Sequence, residues 1–100
     1  MVLIDEHMTC YQEYQAETNV GRVLMEVLEQ DDHLEMTVHF GGLAVNHEMV
    51  GDELERREVK LGMVQALRDT EKTVWNEKIE LVKWFHWRWN RKMDEIEEGA

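Results

Sequence analysis

The stretch from Val23 to Val50, VLMEVLEQDDHLEMTVHFGGLAVNHEMV, constrains the fold more than any other part of the chain. Apolar residues recur at every second position, as Val23, Met25, Val27, then Leu34, Met36, Val38, Phe40, then Leu43, Val45 and Met49. A strand sends alternate side chains to opposite faces, so this period predicts half-buried strands sharing one apolar face. Gly41-Gly42 predicts a two-residue hairpin turn and Asp31-Asp32 a second. These turns impose a register that can be tested internally. The first sets Phe40 against Leu43, Val38 against Val45 and Met36 against His47. The second sets Val27 against Met36, Met25 against Val38 and Val23 against Phe40. Both gather the apolar residues on one face, and a slip of one residue would invert that. A three-stranded antiparallel meander over about 22–50 follows.

The same register sets Glu35 directly against Glu48 on the other face, with Glu26 nearby and Glu29, Asp31 and Asp32 at the hairpin tip. Like charges opposed across a strand pair destabilise a sheet. Two readings are open: a solubilising surface, or a carboxylate array that exists to be bound.

After the sheet, Gly51-Asp52 followed by Glu55 has the pattern of a helix N-cap with its capping-box partner, which predicts a helix over about 52–69. Leu54 and Leu61 fall opposite Val59, Met63 and Ala66, and Gly62 sits inside, so the helix is weakly amphipathic and its continuity is open. The segment before the sheet, DEHMTCYQEYQAE, is expected to be a helix, with a strand as the alternative. In the last segment Trp75, Ile79, Val82, His86, Trp89, Met93 and Ile96 are spaced alternately four and three apart, a seam at helical spacing over about 73–97, which Val74, Leu81 and Phe85 widen. The expected architecture is one α+β domain over residues 1–100: an N-terminal helix, the three-stranded meander and two C-terminal helices.

Trp84 and Trp87 fall on the far side of the last helix, among Glu77, Glu80, Lys83, Arg88 and Arg91. Trp84 with Arg88, and Trp87 with Arg91, stand four residues apart, which permits cation–π stacking. Large aromatics beside arginine are typical of interface anchors, whereas packing beneath another segment is the plainer use. His86 lies in the apolar seam as a group able to titrate near neutrality.

Charge is unevenly placed. Residues 1–55 hold thirteen Asp and Glu against Arg22 alone, a net of −12, while residues 56–100 hold nine acids and ten bases, a net of +1. A field of that sign repels nucleic acid and anionic membranes and attracts basic surfaces. Direct nucleic-acid binding is therefore disfavoured. No apolar run approaches the roughly 20 residues that span a bilayer, and MVLIDEHM lacks the basic and long apolar regions of a signal peptide. Cys10 is the single cysteine and has no internal disulfide partner. A cytoplasmic, non-membrane protein is expected. His7, His33, His39, His47 and Cys10 match no compact zinc spacing, and no nucleophile, oxyanion donor or cofactor motif accompanies the carboxylates. The reading is non-enzymatic, with no metal and no cofactor.

In size, acidity and expected element order the chain resembles the small acidic phage-encoded inhibitors, among them the DNA-mimicking anti-CRISPR proteins that occupy the PAM-reading site of Cas9-type nucleases. The resemblance implies a partner with a basic nucleic-acid-binding surface and a bacterial host cytoplasm as the location. The array that would compete for the partner's Lys and Arg is Glu26, Glu29, Asp31, Asp32, Glu35 and Glu48, extended by Asp52, Glu53 and Glu55. Trp84, Trp87, Arg88 and Arg91 would supply a second contact or a self-association surface in a homodimer. The alternative is a small oligomeric assembly or antitoxin-like protein acting through the Trp-rich helix.

Overall fold

Four strands, consecutive in sequence and neighbours in space, make one antiparallel sheet in the order β1-β2-β3-β4. The computed structural model describes residues 10–99. The elements are β1 (Cys10–Thr18), β2 (Gly21–Gln30), β3 (His33–Phe40), β4 (Leu43–Val50), α1 (Glu53–Thr70) and α2 (Lys78–Glu98). For β2 to β4 the register is the expected one: Val27 pairs with Met36, Met25 with Val38, Met36 with His47, Val38 with Val45 and Phe40 with Leu43. Gly41 and Gly42 both have positive φ, 52° and 92°. That backbone follows the right-handed twist of the flanking strands. Asp31 takes the left-handed conformation at φ 53° in the other turn, which Asp tolerates better than most side chains.

The expected N-terminal helix is not formed. Within the described residues its segment is β1, a fourth strand that pairs with β2 from Cys10 opposite Glu29 to Thr18 opposite Gly21; residues 5–9 of that expectation lie outside the described part. The positions of β1 that share the apolar face of β2 are Gln12, Tyr14, Ala16 and Thr18, of which Ala16 alone is fully buried. An edge strand with so little apolar alternation carries almost no period-two signal. Pairing with β2 overrides the local sequence.

Both helices cover one face of this sheet. Val23, Met25, Val27, Leu34, Met36, Val38, Phe40 and Met49 from the strands meet Val59, Met63, Ala66 and Leu67 of α1 and Leu81, Phe85 and Trp89 of α2 in one buried cluster. α1 begins with the predicted capping box: Asp52 accepts from the Glu55 backbone at 2.8 Å, and Glu55 accepts from the Asp52 backbone at 3.1 Å. It runs unbroken through Gly62, where the stem of Lys92 from α2 packs, and a Cβ at that position would collide with Lys92 Cε.

The last helix corrects its expectation in start and in rotation. It begins at Lys78, so Trp75 belongs to the connection before it. Trp75 is nonetheless buried, donating from Nε1 to the Thr70 carbonyl at 3.0 Å, while Asn19 of the first hairpin turn bonds both its backbone N–H and its carbonyl. On α2 the buried line is Leu81, Phe85 and Trp89, not Ile79, Val82 and His86, and Ile79 and His86 are exposed. Apolar residues occupy so much of this helix that its spacing admits both lines, and packing on the sheet selects one.

Candidate functional site: the open face of the sheet

Because the helices take one face, alternate residues of all four strands are left on the other. The pairings lay them out in rows across the sheet: Gln30–His33–Val50, Tyr11–Leu28–Glu35–Glu48, Glu13–Glu26–Thr37–Asn46, Gln15–Leu24–His39–Ala44, and Glu17–Arg22. Neighbouring strands are about 4.8 Å apart. Two like-charged pairs are therefore held side by side, Glu13 against Glu26 and Glu35 against Glu48. Arg22 is the one Lys or Arg among these positions, and it bonds Glu17 at 2.5 Å.

Each carboxylate is held differently. Glu26 accepts from the Tyr11 hydroxyl and faces His39 Nε2. The Tyr11 hydrogen bond holds the Glu26 carboxyl below its usual range; burial opposes it, and His39 adds a smaller lowering effect. The one proton of the Tyr11 hydroxyl is shared with Glu13, 2.7 Å away, and the two carboxylates raise the phenol and keep it a donor. Glu35 accepts from Asn46 Nδ2 at 2.7 Å, and that amide also donates to Thr37 Oγ1 at 2.8 Å. Glu48 is exposed beside it.

Of the residues that the sequence assigns to an acidic array, the structure brings Glu26, Glu35 and Glu48 together on this face. Asp31 and Asp32 stand at the tip of the β2–β3 hairpin, and the Gly51 N–H donates to the Asp32 carbonyl at 2.9 Å, so the turn carrying Asp52 and Glu53 lies against that tip. Asp52 and Glu55 spend their side chains on each other's backbone in the capping box. Glu29 is not part of the array. It stands on the helix-covered face, 3.0 Å from Arg56 Nε and 3.3 Å from Lys60 Nζ. Burial pushes its carboxyl up, but the two cations together hold it below the usual range. Glu13 and Glu17 join the face instead, and they were hidden by the expectation of a helix over β1.

The tryptophans divide. Trp84 is half-buried against the core, 5.4 Å from Trp75 and 5.3 Å from Phe85 between ring centroids, so the expectation that it lies on the far side of the helix is overturned. Trp87 is 52% exposed. Both stack with arginine as the spacing predicts, Arg88 over Trp84 at 5.1 Å and Arg91 over Trp87 at 5.4 Å. Trp87, Arg88, Arg91, Lys92 and Glu95 line a shallow groove.

Across the core, His47 of β4 meets α2. Its Nε2 stands 3.1 Å from His86 Nδ1, and its ring stacks on His86 and Trp89 at 5.3 and 5.2 Å. Burial, and then the neighbouring His86, lower its affinity for a proton.

Among the described residues no helix is long and apolar enough to cross a membrane. Comparison with family models, curated proteins and solved structures finds no match for this chain.

Proposed function

We propose that the protein is a non-enzymatic inhibitor that engages the nucleic-acid-binding surface of another protein through the open face of its sheet. The observation that carries this reading is the pairing of like with like on that face, Glu13 with Glu26 and Glu35 with Glu48. Opposed like charges cost stability in the free protein where no donor bridges them, as Tyr11 does between Glu13 and Glu26, and an approaching array of Lys and Arg relieves the cost on binding. Nucleic acid is held mainly through phosphate contacts to Lys and Arg. Carboxylates fixed on a rigid sheet compete for those groups without any base sequence. Asp31, Asp32, Asp52 and Glu53 extend the negative surface around the hairpin end, and charge complementarity sets the encounter rate. The parallel with acidic phage inhibitors of nucleases rests on size and charge, because the element order differs.

The test is capture on immobilised protein from a lysate of the source organism or its host, eluted along a salt gradient. A DNA- or RNA-binding protein should be retained, elute at raised salt and be displaced by its own nucleic acid. Glu26→Lys, Glu35→Lys and Glu48→Lys together should abolish retention. Unchanged retention by that triple variant rules the reading out.

A second reading, assembly through α2, draws on the exposed Trp87 beside Arg91. It differs in what disrupts it: Trp87→Ala should reduce the mass in solution, with little dependence on salt.

A further inference from the structure

On the open face His33, Glu35 and Glu48 form a cluster whose composition differs from the rest of the array. One ligand atom from each lies within 4.8 Å of those of the other two. The backbone sets this arrangement: Glu35 is directly opposite Glu48, and His33 precedes Glu35 by two residues on the same strand and the same face. Among the described residues no Lys or Arg forms an ion pair with either carboxylate; His33 Nε2, 3.9 Å from Glu35 Oε2, is the nearest counter-group. Asn46 fixes one oxygen of Glu35 at 2.7 Å. Two opposed carboxylates with a cost to repay, and an imidazole beside them, form a donor set that an acidic patch alone would not supply.

We propose that His33, Glu35 and Glu48 bind a first-row divalent transition metal of the Zn2+ class. Imidazole favours these ions over Ca2+ and Mg2+, which take oxygen almost exclusively. Two carboxylates and a neutral imidazole balance the ion's double charge. Ligands bonded at about 2.1 Å in a tetrahedral array lie about 3.4 Å apart. Reaching that spacing from the present one takes side-chain rotations of the exposed Glu48 and of the partly exposed His33 or Glu35, which stand 3.9 Å apart, while the strands stay in place. Three protein donors leave the remaining position to water. No spacing rule finds the set in the sequence, because His33 and Glu35 lie on one strand and Glu48 on the next.

The site is tested with metal alone, independently of any protein partner. Co2+ titrated into the full chain should produce a visible absorption band of low-symmetry nitrogen and oxygen coordination, and Zn2+ should displace it. His33→Ala and Glu48→Gln should each weaken Co2+ binding at least about tenfold, since even supporting residues around a metal are worth 10- to 100-fold. Glu58→Gln, on an exposed carboxylate of α1 outside the acidic array, should leave it unchanged. In the unsubstituted protein Mn2+ should broaden backbone amide resonances most strongly at residues 33, 35 and 48. Absence of the band at Co2+ in large excess overturns the proposal. So does a Co2+ affinity in both His33→Ala and Glu48→Gln equal to that of the unsubstituted protein, or broadening centred elsewhere, as around His47 and His86.

Discussion

Glu26 and Glu29 stand three residues apart on β2, yet on opposite faces of the sheet their charges have opposite fates. Glu29 is closed in beneath α1 and neutralised by Arg56 and Lys60. Glu26 faces outward, with Glu13 directly across from it. The covered face combines an apolar core with the acid it buries and supplies the cations to match. The open face sets acid against acid and, apart from Arg22 beside Glu17, leaves the compensation to hydroxyl, amide and imidazole groups. One face is spent on folding, and the other keeps its charge at the surface.

The comparison breaks first if the covered face does not carry the stability. Phe40→Ala, at a fully buried position on that face, should cost about 3–5 kcal/mol in urea unfolding, the usual cost of removing a buried aromatic. A loss under about 1 kcal/mol would mean that the core lies elsewhere.

The next effect compares two acids directly. Glu29→Gln strands two partly buried cations and should cost about 1–2 kcal/mol, between the values for exposed and fully buried pairs. Glu48→Gln removes a like-charge opposition and should be neutral or stabilising by a few tenths of a kcal/mol. Opposite signs in the same melting experiment sharpen the division; equal losses erase it.

This division was half legible in the sequence. The alternation from Val23 to Phe40 and the Gly41-Gly42 turn are short-range signals, and they specify three strands and their register. Five residues separate Glu35 from the Gly41-Gly42 turn and five separate the turn from Glu48, which likewise places the two opposite each other. Glu29 shows the limit. On parity with Val27 it belongs to the apolar face, but its position at the strand end suggested a solvated tip, and its partners Arg56 and Lys60 come from a helix whose placement no local pattern encodes. β1 was illegible for the same reason, since Tyr14 and Ala16 become core residues only through β2. In α2 local spacing could not choose between two apolar lines.

The covered face should also show in the response to acid. Both His47 and Glu29 have folded-state proton affinities below those of the unfolded chain. Such groups contribute stability that is complete above the unfolded value and lost as the pH falls through the folded one. For His47 the unfolded value is about 6.5, so stability should begin to fall below about pH 6.5 as the unfolded chain takes up a proton that the pocket beside His86 and Trp89 resists. The Glu29 contribution should follow below about pH 4.5, its unfolded value. One proton limits each slope to about 1.4 kcal/mol per pH unit. His47→Leu should remove the upper arm of the melting temperature against pH and leave the lower; an unchanged upper arm would assign it to another histidine.

The smallest expected effect is on α2, where the same contrast recurs within one helix. Trp84 is drawn into the core beside Trp75 and Phe85, while Trp87, three residues on, stays exposed with Arg91 stacked on it. An exposed cation–π contact is worth about 0.5–1 kcal/mol, and truncating an exposed side chain usually shifts stability by no more than about 0.5 kcal/mol. Trp87→Ala should therefore leave the unfolding midpoint almost unchanged in dilute protein. The informative variable is concentration. If the midpoint of the unsubstituted protein rises with protein concentration and that of Trp87→Ala does not, the indole is buried between copies and its exposure belongs to the monomer. If neither midpoint depends on concentration, the indole is not buried between copies, and α2 presents Trp87 and Arg91 to a different partner or to none.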